Sequence, residues 1–488
     1  MQDSWFSLLI GAGYFATIIL FAVNVIMKRR SVGVTLAWLV LLFAIPVAGI
    51  VCYLLFGSRR LGTRRMNRIK QLYPDYTQWC EHLSNVIGQD NVVQHRTVRH
   101  KGVYCLAEHT MGIPVLSGNS LQLYHQPSDI INRIMMDIDN AEKCIVMAFY
   151  IWEPQGRMCA LANAMIAAAK RGVDCVVLLD AVGSRGFLKG EWAHRLKRAG
   201  VTVTESLPVG FWRVFMERLD IRNHRKILVI DDAIAWTGSF NLVDPVFFKQ
   251  DARVGEWIDA MIRIDGVASH VLGAIVYWDQ AVEIGKKHES FNNTYQLPER
   301  VLSNYYNTDV HIVPSGPDND REMLQQVLLT AIYESQDELI ISTPYFIPDE
   351  PLVTALKSAA QRGVTVKLIV PAQNDSKMVY HASRSYYEEM LVSGVQIYQF
   401  LGGLLHTKCV LVDRATVLFG TVNLDMRSVW LNFEVTMVVY DPDFGIRISL
   451  LMDEYLHQAE LVDGFRWKQR PVRQKLLENT MQLLAPLL

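Results

Sequence analysis

The chain has 488 residues, half of them hydrophobic, which suits a few folded domains and excludes disordered and collagen-like classes. Its 48 Lys and Arg nearly balance 49 Asp and Glu, but residues 1–70 hold nine basic groups against Asp3 alone, a local net of +8 that leaves −9 on the other 418 residues. A −9 body is a poor match for gripping polyphosphate, so nucleic acid is not an expected partner. Seven scattered cysteines with no Cys-x-x-Cys pair exclude a disulfide framework and a cysteine-based zinc site, and suit a reducing compartment.

Trp5 to Met27 and Val34 to Gly57 are uncharged runs, each long enough as a helix to span a bilayer core of roughly 30 Å. A signal peptide is a poor reading of the first: the start Met-Gln-Asp-Ser has no positive region, the run is too long, and a second follows at once. A buried soluble hairpin is the competing reading, but soluble helices need a polar face. The short Lys28–Gly33 link makes the two a hairpin with both ends on one side. Three basic residues sit at the turn and six lie from Arg59 to Lys70, so the positive-inside tendency favours a cytoplasmic position for the following body. The Arg59–Lys70 cluster serves as a topology anchor or as a contact for anionic head groups.

After a polar linker the chain is written twice. Cys144–Tyr150 with Ile151-Trp152-Glu153-Pro154 corresponds to Leu339–Thr343 with Pro344-Tyr345-Phe346-Ile347-Pro348. Arg171-Gly172-Val173 matches Arg362-Gly363-Val364, and Ala199-Gly200-Val201 matches Ser393-Gly394-Val395. Strands alternating with helices of this length predict an α/β fold built as an internal repeat. The expected divisions are a hairpin over 1–60, a basic juxtamembrane and linker region over 61–115, a first half over 116–295, a second over 296–462, and a basic and apolar tail over 463–488. From the Gly-Val landmark to the next motif, the first half takes 24 residues (Gly200 to His224) and the second 12 (Gly394 to His406).

That motif closes both halves. The first copy is His224-Arg225-Lys226, four residues, Asp231, six residues, then Gly238-Ser239-Phe240-Asn241. The second is His406-Thr407-Lys408, four residues, Asp413, six residues, then Gly420-Thr421-Val422-Asn423. Read as a strand over His224–Ile230, alternation puts His and Lys on one face and Asp231 on the other, and the same parity holds for His406, Lys408 and Asp413. His and Lys are then the reactive pair, with each Asp holding a turn or a neighbouring strand. Gly238 and Gly420 are expected in tight turns. Two imidazoles, two ammoniums and the amides of Asn241 and Asn423 in one pocket make a phosphodiester site. One neutral His attacks phosphorus, the other delivers a proton to the leaving alkoxide, and the Lys and Asn side chains hold the non-bridging oxygens together with Ser239 and Thr421. Such a site needs neither metal nor cofactor. Parity leaves the motif aspartates badly placed to orient an imidazole. Asp259 and Glu434, at the starts of later apolar strands, fit that role better, the alternative being solvated strand-end acids.

At these residues the sequence resembles the phospholipase D superfamily, whose hallmark is a duplicated His-Lys-Asp motif, over roughly residues 120–460. Over the whole chain it is similar to the bacterial cardiolipin synthases of the two-transmembrane type. The residues that carry this are Ala37-Trp38-Leu39 with Ile45-Pro46, Phe149-Tyr150-Ile151-Trp152, Gly402–Lys408, and Asn423-Leu424-Asp425-Met426-Arg427-Ser428. The resemblance implies two phospholipase D-like α/β/α halves packed about a pseudo-two-fold, preceded by a transmembrane hairpin. It implies that two phosphatidylglycerol molecules give cardiolipin and glycerol through a phosphatidyl-histidine, with His224 as nucleophile and His406 as general acid. It also keeps Asp231 and Asp413 among the catalytic residues despite the parity argument.

Transfer rather than hydrolysis requires a lipid alcohol to reach the intermediate before water. The first-half insertion, with Phe211, Trp212, Val214, Phe215 and Met216 between Arg213 and Arg218, reads as an interfacial element or as a packed loop. The tail, with Arg466, Lys468, Arg470, Arg473 and Lys475 before Leu476-Leu477 and the apolar end, reads as a second interfacial element or as a docked helix. A phospholipase D-type hydrolase, or a phosphatidyltransferase with another alcohol acceptor, shares the same motifs.

Overall fold

The computed structural model describes residues 2–28, 32–57, 61–87, 100–210, 218, 220–288, 308–318 and 322–484, with side chains from Gly11 onward except Met111. Arg29, Arg30, Arg59, Arg60, Phe211–Glu217 and the last four residues of the tail lie outside this description. The chain divides into two compact units: residues 1–67 with 209–221, and the remainder.

In the first unit, helices run over Gln2–Met27, Val32–Ala44 and Pro46–Phe56. Among the described residues no helix taken singly is long and apolar enough to cross a membrane, and the second apolar run divides at Ile45. Pro46 has no amide hydrogen, which accounts for the division. The hydrogen bonding nevertheless passes over it: Ile45 N donates to Leu41 O at 3.1 Å and Gly49 N to Ile45 O at 2.7 Å. A Cβ on Gly49 would lie 2.7 Å from Leu41 O, so glycine permits the bend. Val25, Leu42 and Tyr53 form the small interior, where the Tyr53 hydroxyl donates to Asn24 Oδ1 at 2.7 Å. The helices expose many apolar side chains, with Phe15, Leu20, Val40 and Val47 each more than half exposed. Arg218, from the first-half insertion, donates to Phe56 O at 3.2 Å and pairs with Asp220.

The second unit is mixed α/β. Its strands are β1 Leu116–Tyr124, β2 Cys144–Phe149, β3 Asp174–Asp180, β4 Thr202–Ser206, β5 Ile227–Ile230, β6 Ile234–Gly238, β7 Trp257–Ile258 and β8 Met261–Asp265. They continue as β9 Thr308–Ser315, β10 Glu338–Ser342, β11 Phe346–Ile347, β12 Thr365–Pro371, β13 Gln396–Phe400, β14 Leu404–Leu405 and β15 Cys409–Val412, then β16 Thr416–Gly420, β17 Leu424–Asp425, β18 Glu434–Tyr440 and β19 Ala459–Leu461. Fifteen of these form one sheet in the order β19-β13-β12-β10-β15-β16-β18-β9-β1-β8-β6-β5-β2-β3-β4. Read outward from the β9–β1 pair, each side runs through the same sequence of strands, with β19 added at one edge. β2, β3 and β4 are mutually parallel, as are β10, β12 and β13, while the motif strands β5 and β15 run antiparallel to their neighbours.

The repeated Gly-Val landmarks are helix ends. Gly172, Gly200, Gly363 and Gly394 all take φ between 93° and 97°, a conformation costly for any side-chain-bearing residue. At each, the following Val donates five residues back and the Gly three back, as Val173 N to Ala168 O and Gly172 N to Ala169 O. Arg171 and Arg362 then reach back to close the preceding helix, on Ile138 O and Ala141 O in one case and Ile332 O and Ser335 O in the other. The 18-residue helix Val267–Ile284 is buried along most of its length against the β1–β2–β4–β5–β6 face, which explains its lack of a polar side.

Candidate active site

Two short parallel pairings carry the site. β14 pairs with β7, and His406 N donates to Ile258 O at 2.8 Å. Asn223 forms the equivalent bridge to Phe433, and His224 N donates to Phe433 O at 2.8 Å. Each motif histidine is thereby set beside the residue after that carbonyl, which is an acid from the other half. His224 Nδ1 lies 2.9 Å from Glu434 Oε2, and His406 Nδ1 lies 2.7 Å from Asp259 Oδ1. The structure thus places Asp259 and Glu434 on the imidazoles, each serving the opposite repeat. With Nδ1 facing a carboxylate, Nε2 is the nitrogen left for chemistry.

The motif is not strand from its first residue. His224–Lys226 and His406–Lys408 precede β5 and β15 and make no ladder, so the strand expected from His224 begins only at Ile227. Alternation survives in the side chains. Arg225 points away to Asp279, both its contacts at 2.5 Å, and Thr407 Oγ1 meets the Tyr455 hydroxyl at 2.9 Å. Lys226 Nζ donates to His224 O at 2.8 Å and Lys408 Nζ to His406 O at 2.5 Å, which uses one of three donors on each ammonium.

Asp231 and Asp413 lie at the other end of those strands. Each opens a turn of two consecutive residues with left-handed φ (Asp231 and Asp232 near 53°, Asp413 and Arg414 near 52°), which Asp tolerates better than most residues. Each carboxylate accepts from three successive amides, of Glu142, Lys143 and Cys144 for Asp231 and of Gln336, Asp337 and Glu338 for Asp413. Asp413 also meets His100 Nε2 at 3.1 Å. Neither carboxylate is engaged with a motif imidazole.

The Gly-Ser/Thr-x-Asn segments support the acids. The Thr421 hydroxyl donates to Glu434 Oε2 at 2.5 Å and accepts from Val435 N at 3.0 Å. Ser239 Oγ accepts from Ala260 N at 3.0 Å and donates to Ala260 O at 3.3 Å. Of these hydroxyls, both expected on the phosphate, Thr421 is engaged with an orienting carboxylate and Ser239 with the backbone just after the other. Gly238 and Gly420 end β6 and β16 rather than forming tight turns. A Cβ there would fall 2.4 Å from Ala260 O and 2.2 Å from Val435 O, so glycine admits the strand that delivers the acid. Asn241 Oδ1 accepts from Ile151 N at 3.2 Å, which leaves its NH₂ to donate, whereas Asn423 is buried with its Oδ1 unpartnered.

Burial pushes His224 down to about 4 and His406 to about 3, against the pull of Glu434 and Asp259. Lys226 and Lys408 push both imidazoles the same way as burial. Burial also lowers Lys226 to about 8 and Lys408 well below its ordinary value. The acids respond oppositely: burial raises both, but the imidazole and lysine contacts outweigh it and hold Glu434 and Asp259 below the usual carboxylate range. The resting site therefore has two neutral imidazoles.

Aromatic walls flank both histidines, with Tyr150 4.9 Å from His224 and Trp257 4.3 Å from His406 between ring centroids. Trp257 escaped the sequence reading. Its signal was adjacency, since it stands two residues before Asp259. Asp425 was also missed as a site group. It caps helix Met426–Trp430 through Ser428 N at 2.7 Å, and burial raises its carboxyl to about 6. All seven cysteines are free. Among the described residues no group of three or more His, Cys, Asp or Glu is placed to hold a metal ion.

A family model described as cardiolipin synthase, PLD-like domain, matches residues 134–251 and 328–458, and one described as phospholipase D-nuclease N-terminal matches residues 16–58. The cardiolipin synthase A proteins of Yersinia pseudotuberculosis serotype O:1b (strain IP 31758) and Edwardsiella ictaluri (strain 93-146) are each 41% identical over 491 aligned positions, covering 99% of this chain and 98% of theirs. Among solved structures, phosphatidylserine synthase of Haemophilus influenzae Rd KW20 aligns with 79% of this chain and all of its own at a TM-score of 0.59 and 16% identity, a likeness of fold alone. The chain belongs to the cardiolipin synthase family of phospholipase D-like proteins.

Proposed function

We propose that this chain is a membrane-bound phosphatidyltransferase that converts two phosphatidylglycerol molecules into cardiolipin and glycerol. The observation that carries this reading is the pair of crossed His–acid contacts, His224 with Glu434 and His406 with Asp259, within a chain 41% identical along its length to proteins named cardiolipin synthase A. His224 Nε2 attacks phosphorus of the first phosphatidylglycerol and the bond to the glycerol headgroup oxygen breaks. Protonated His406 gives that oxygen its proton and glycerol leaves. The hydroxyl of the second phosphatidylglycerol then loses its proton to His406 and attacks the phosphatidyl-histidine, which frees His224 and forms cardiolipin. One phosphodiester replaces another, so no nucleotide or resident cofactor enters the balance.

Both imidazoles are neutral in the resting site, and an arriving phosphodiester anion supplies the charge that favours protonation of His406. Lys226, Lys408 and the amides of Asn241 and Asn423 hold the non-bridging oxygens. Asp231 and Asp413 act through the turns that fix the motif strands. Ser239 and Thr421 act through the acids. The two halves are related by a pseudo-two-fold, a reading supported by the strand order on either side of the β9–β1 pair.

The N-terminal helices are read as the anchor, in a bacterial inner membrane with the catalytic unit in the cytoplasm. Two observations support this. The exposed side chains of these helices are mostly apolar while Tyr53 and Asn24 bond to each other, and Val32–Ala44 and Pro46–Phe56 keep backbone hydrogen bonds across Pro46 and so span as one bent helix. The order of the two histidines is tested by quenching turnover with acid-free denaturant and mapping the adduct by peptide mass spectrometry. The reading expects a phosphatidyl group on His224, enriched in His406→Ala. An adduct on His406 in the wild type reverses the assignment.

A further inference from the structure

The C-terminal segment turns an amphipathic helix inside out. Asp463 caps helix Gly464–Lys468 on the amides of Phe465 and Arg466, and Trp467 is held between the guanidinium groups of Arg384 and Arg470, each 4.3 Å from its ring. Helix Val472–Gln482 then lies on helix Lys377–Ser385. Its one fully buried side chain is polar: Glu478 bonds Arg384 Nε at 3.3 Å and Arg470 Nε at 3.2 Å, with Met481 partly buried beside it on the core. What it shows to the outside is apolar. Val472, Leu476 and Leu483, spaced to share one face, are 81%, 67% and 80% exposed. A helix whose surroundings are water on that side arranges these the other way round. Docking through an ion-paired carboxylate also means that the interior makes no use of the three aliphatic side chains.

We propose that this element rests on an anionic lipid surface, with Val472, Leu476 and Leu483 in the acyl boundary and Phe465 beside them. Charge identifies the occupant. Phe465 is 75% exposed and is followed by Arg466 and Lys468, both exposed, and Arg473 stands exposed beside the aliphatic stripe. Apolar side chains flanked by basic ones match the boundary between acyl chains and phosphate head groups. A second copy of the chain is a worse match, because a two-fold contact sets each basic residue near its own counterpart. The proposal goes beyond anchorage by the N-terminal helices and is independent of the chemistry at His224 and His406.

The test reconstitutes the full chain in lipid nanodiscs of phosphatidylcholine with or without phosphatidylglycerol. An environment-sensitive nitrobenzoxadiazole is placed on Leu476→Cys or Leu483→Cys, and quenching by lipid-borne nitroxide is read after subtracting the labelled parent chain. Gln361→Cys, exposed at the end of another helix, gives the solvent baseline, and Leu20→Cys in helix Gln2–Met27 reports the N-terminal anchor separately. Quenching at 476 and 483 several-fold above that at 361, and stronger with phosphatidylglycerol, is the expected result. Quenching no greater than at 361 overturns the proposal even if position 20 is quenched, and a disulfide joining two Leu476→Cys chains overturns it in favour of a second copy.

Discussion

At the scale of single residues, the proposed chemistry rests on which nitrogen each imidazole presents, with Nδ1 of each facing an acid from the other repeat. Glu434→Gln keeps the shape but removes the charge that holds His224 in its reactive tautomer. Its kcat is expected to fall by about 10²–10⁴-fold with KM little changed, as in other His–carboxylate pairs. A KM effect with kcat preserved would assign Glu434 to substrate binding instead. Thr421→Val removes one donor from the same carboxylate and should cost about tenfold in kcat, the worth of a hydrogen bond to a charged group. Histidine burial also carries a stability signature. The folded values lie below the unfolded one near 6.5, so as pH falls from about 6.5 toward 4 the unfolded chain takes up protons first and stability drops. Glu434 and Asp259, held below their ordinary values, add stability above about pH 4.5 that is lost on further acidification, with the same sign. Thermal unfolding in detergent should therefore show a falling midpoint over that interval, and a shallower fall in His224→Gln/His406→Gln. Equal slopes would contradict buried neutral imidazoles.

At the scale of elements, the motif divides its labour along a short strand: reactive groups before it, a turn after it. The parity of seven residues between His and Asp was legible because side chains alternate along extended backbone. That the Asp clamps three amides at the start of β2 or β10 was not, because the partners lie nearly ninety residues away in one case and over seventy in the other. Asp413→Ala loses those bonds and puts a Cβ-bearing residue without a local polar group at φ 50°, so about 2–4 kcal/mol of stability should go. The pH dependence of the surviving enzyme should match the wild type, whereas a shifted profile would make Asp413 a direct participant. The partners of Ser239 and Thr421 were hidden for a related reason. A small hydroxyl after glycine suits a phosphate or a neighbouring strand equally, and only the approach of Ala260 and Val435 decides. The Gly-Val landmarks were visible as repeats, but their cause, a left-handed helix end at Gly172, Gly200, Gly363 and Gly394, needs the backbone angle.

For the whole molecule, duplication was the most legible property, since two spaced motifs with matched flanks imply two units of like topology. The crossing of acids between repeats was hidden, because sequence order pairs His224 with Asp259 and His406 with Glu434 as readily as the reverse. The division of the second apolar run at Ile45 was foreshadowed by Pro46 but not its bridging by the Ile45 and Gly49 amides. If transfer uses both repeats as one centre, neither histidine can be spared. The most direct measurement incubates the full chain, reconstituted in vesicles of phosphatidylglycerol with EDTA, and quantifies lipid and glycerol products by mass spectrometry beside His224→Ala and His406→Ala. Cardiolipin and glycerol in equal amounts from the wild type, and neither from the two variants, is the predicted result. Phosphatidic acid without cardiolipin, or cardiolipin persisting in either variant, would contradict the account.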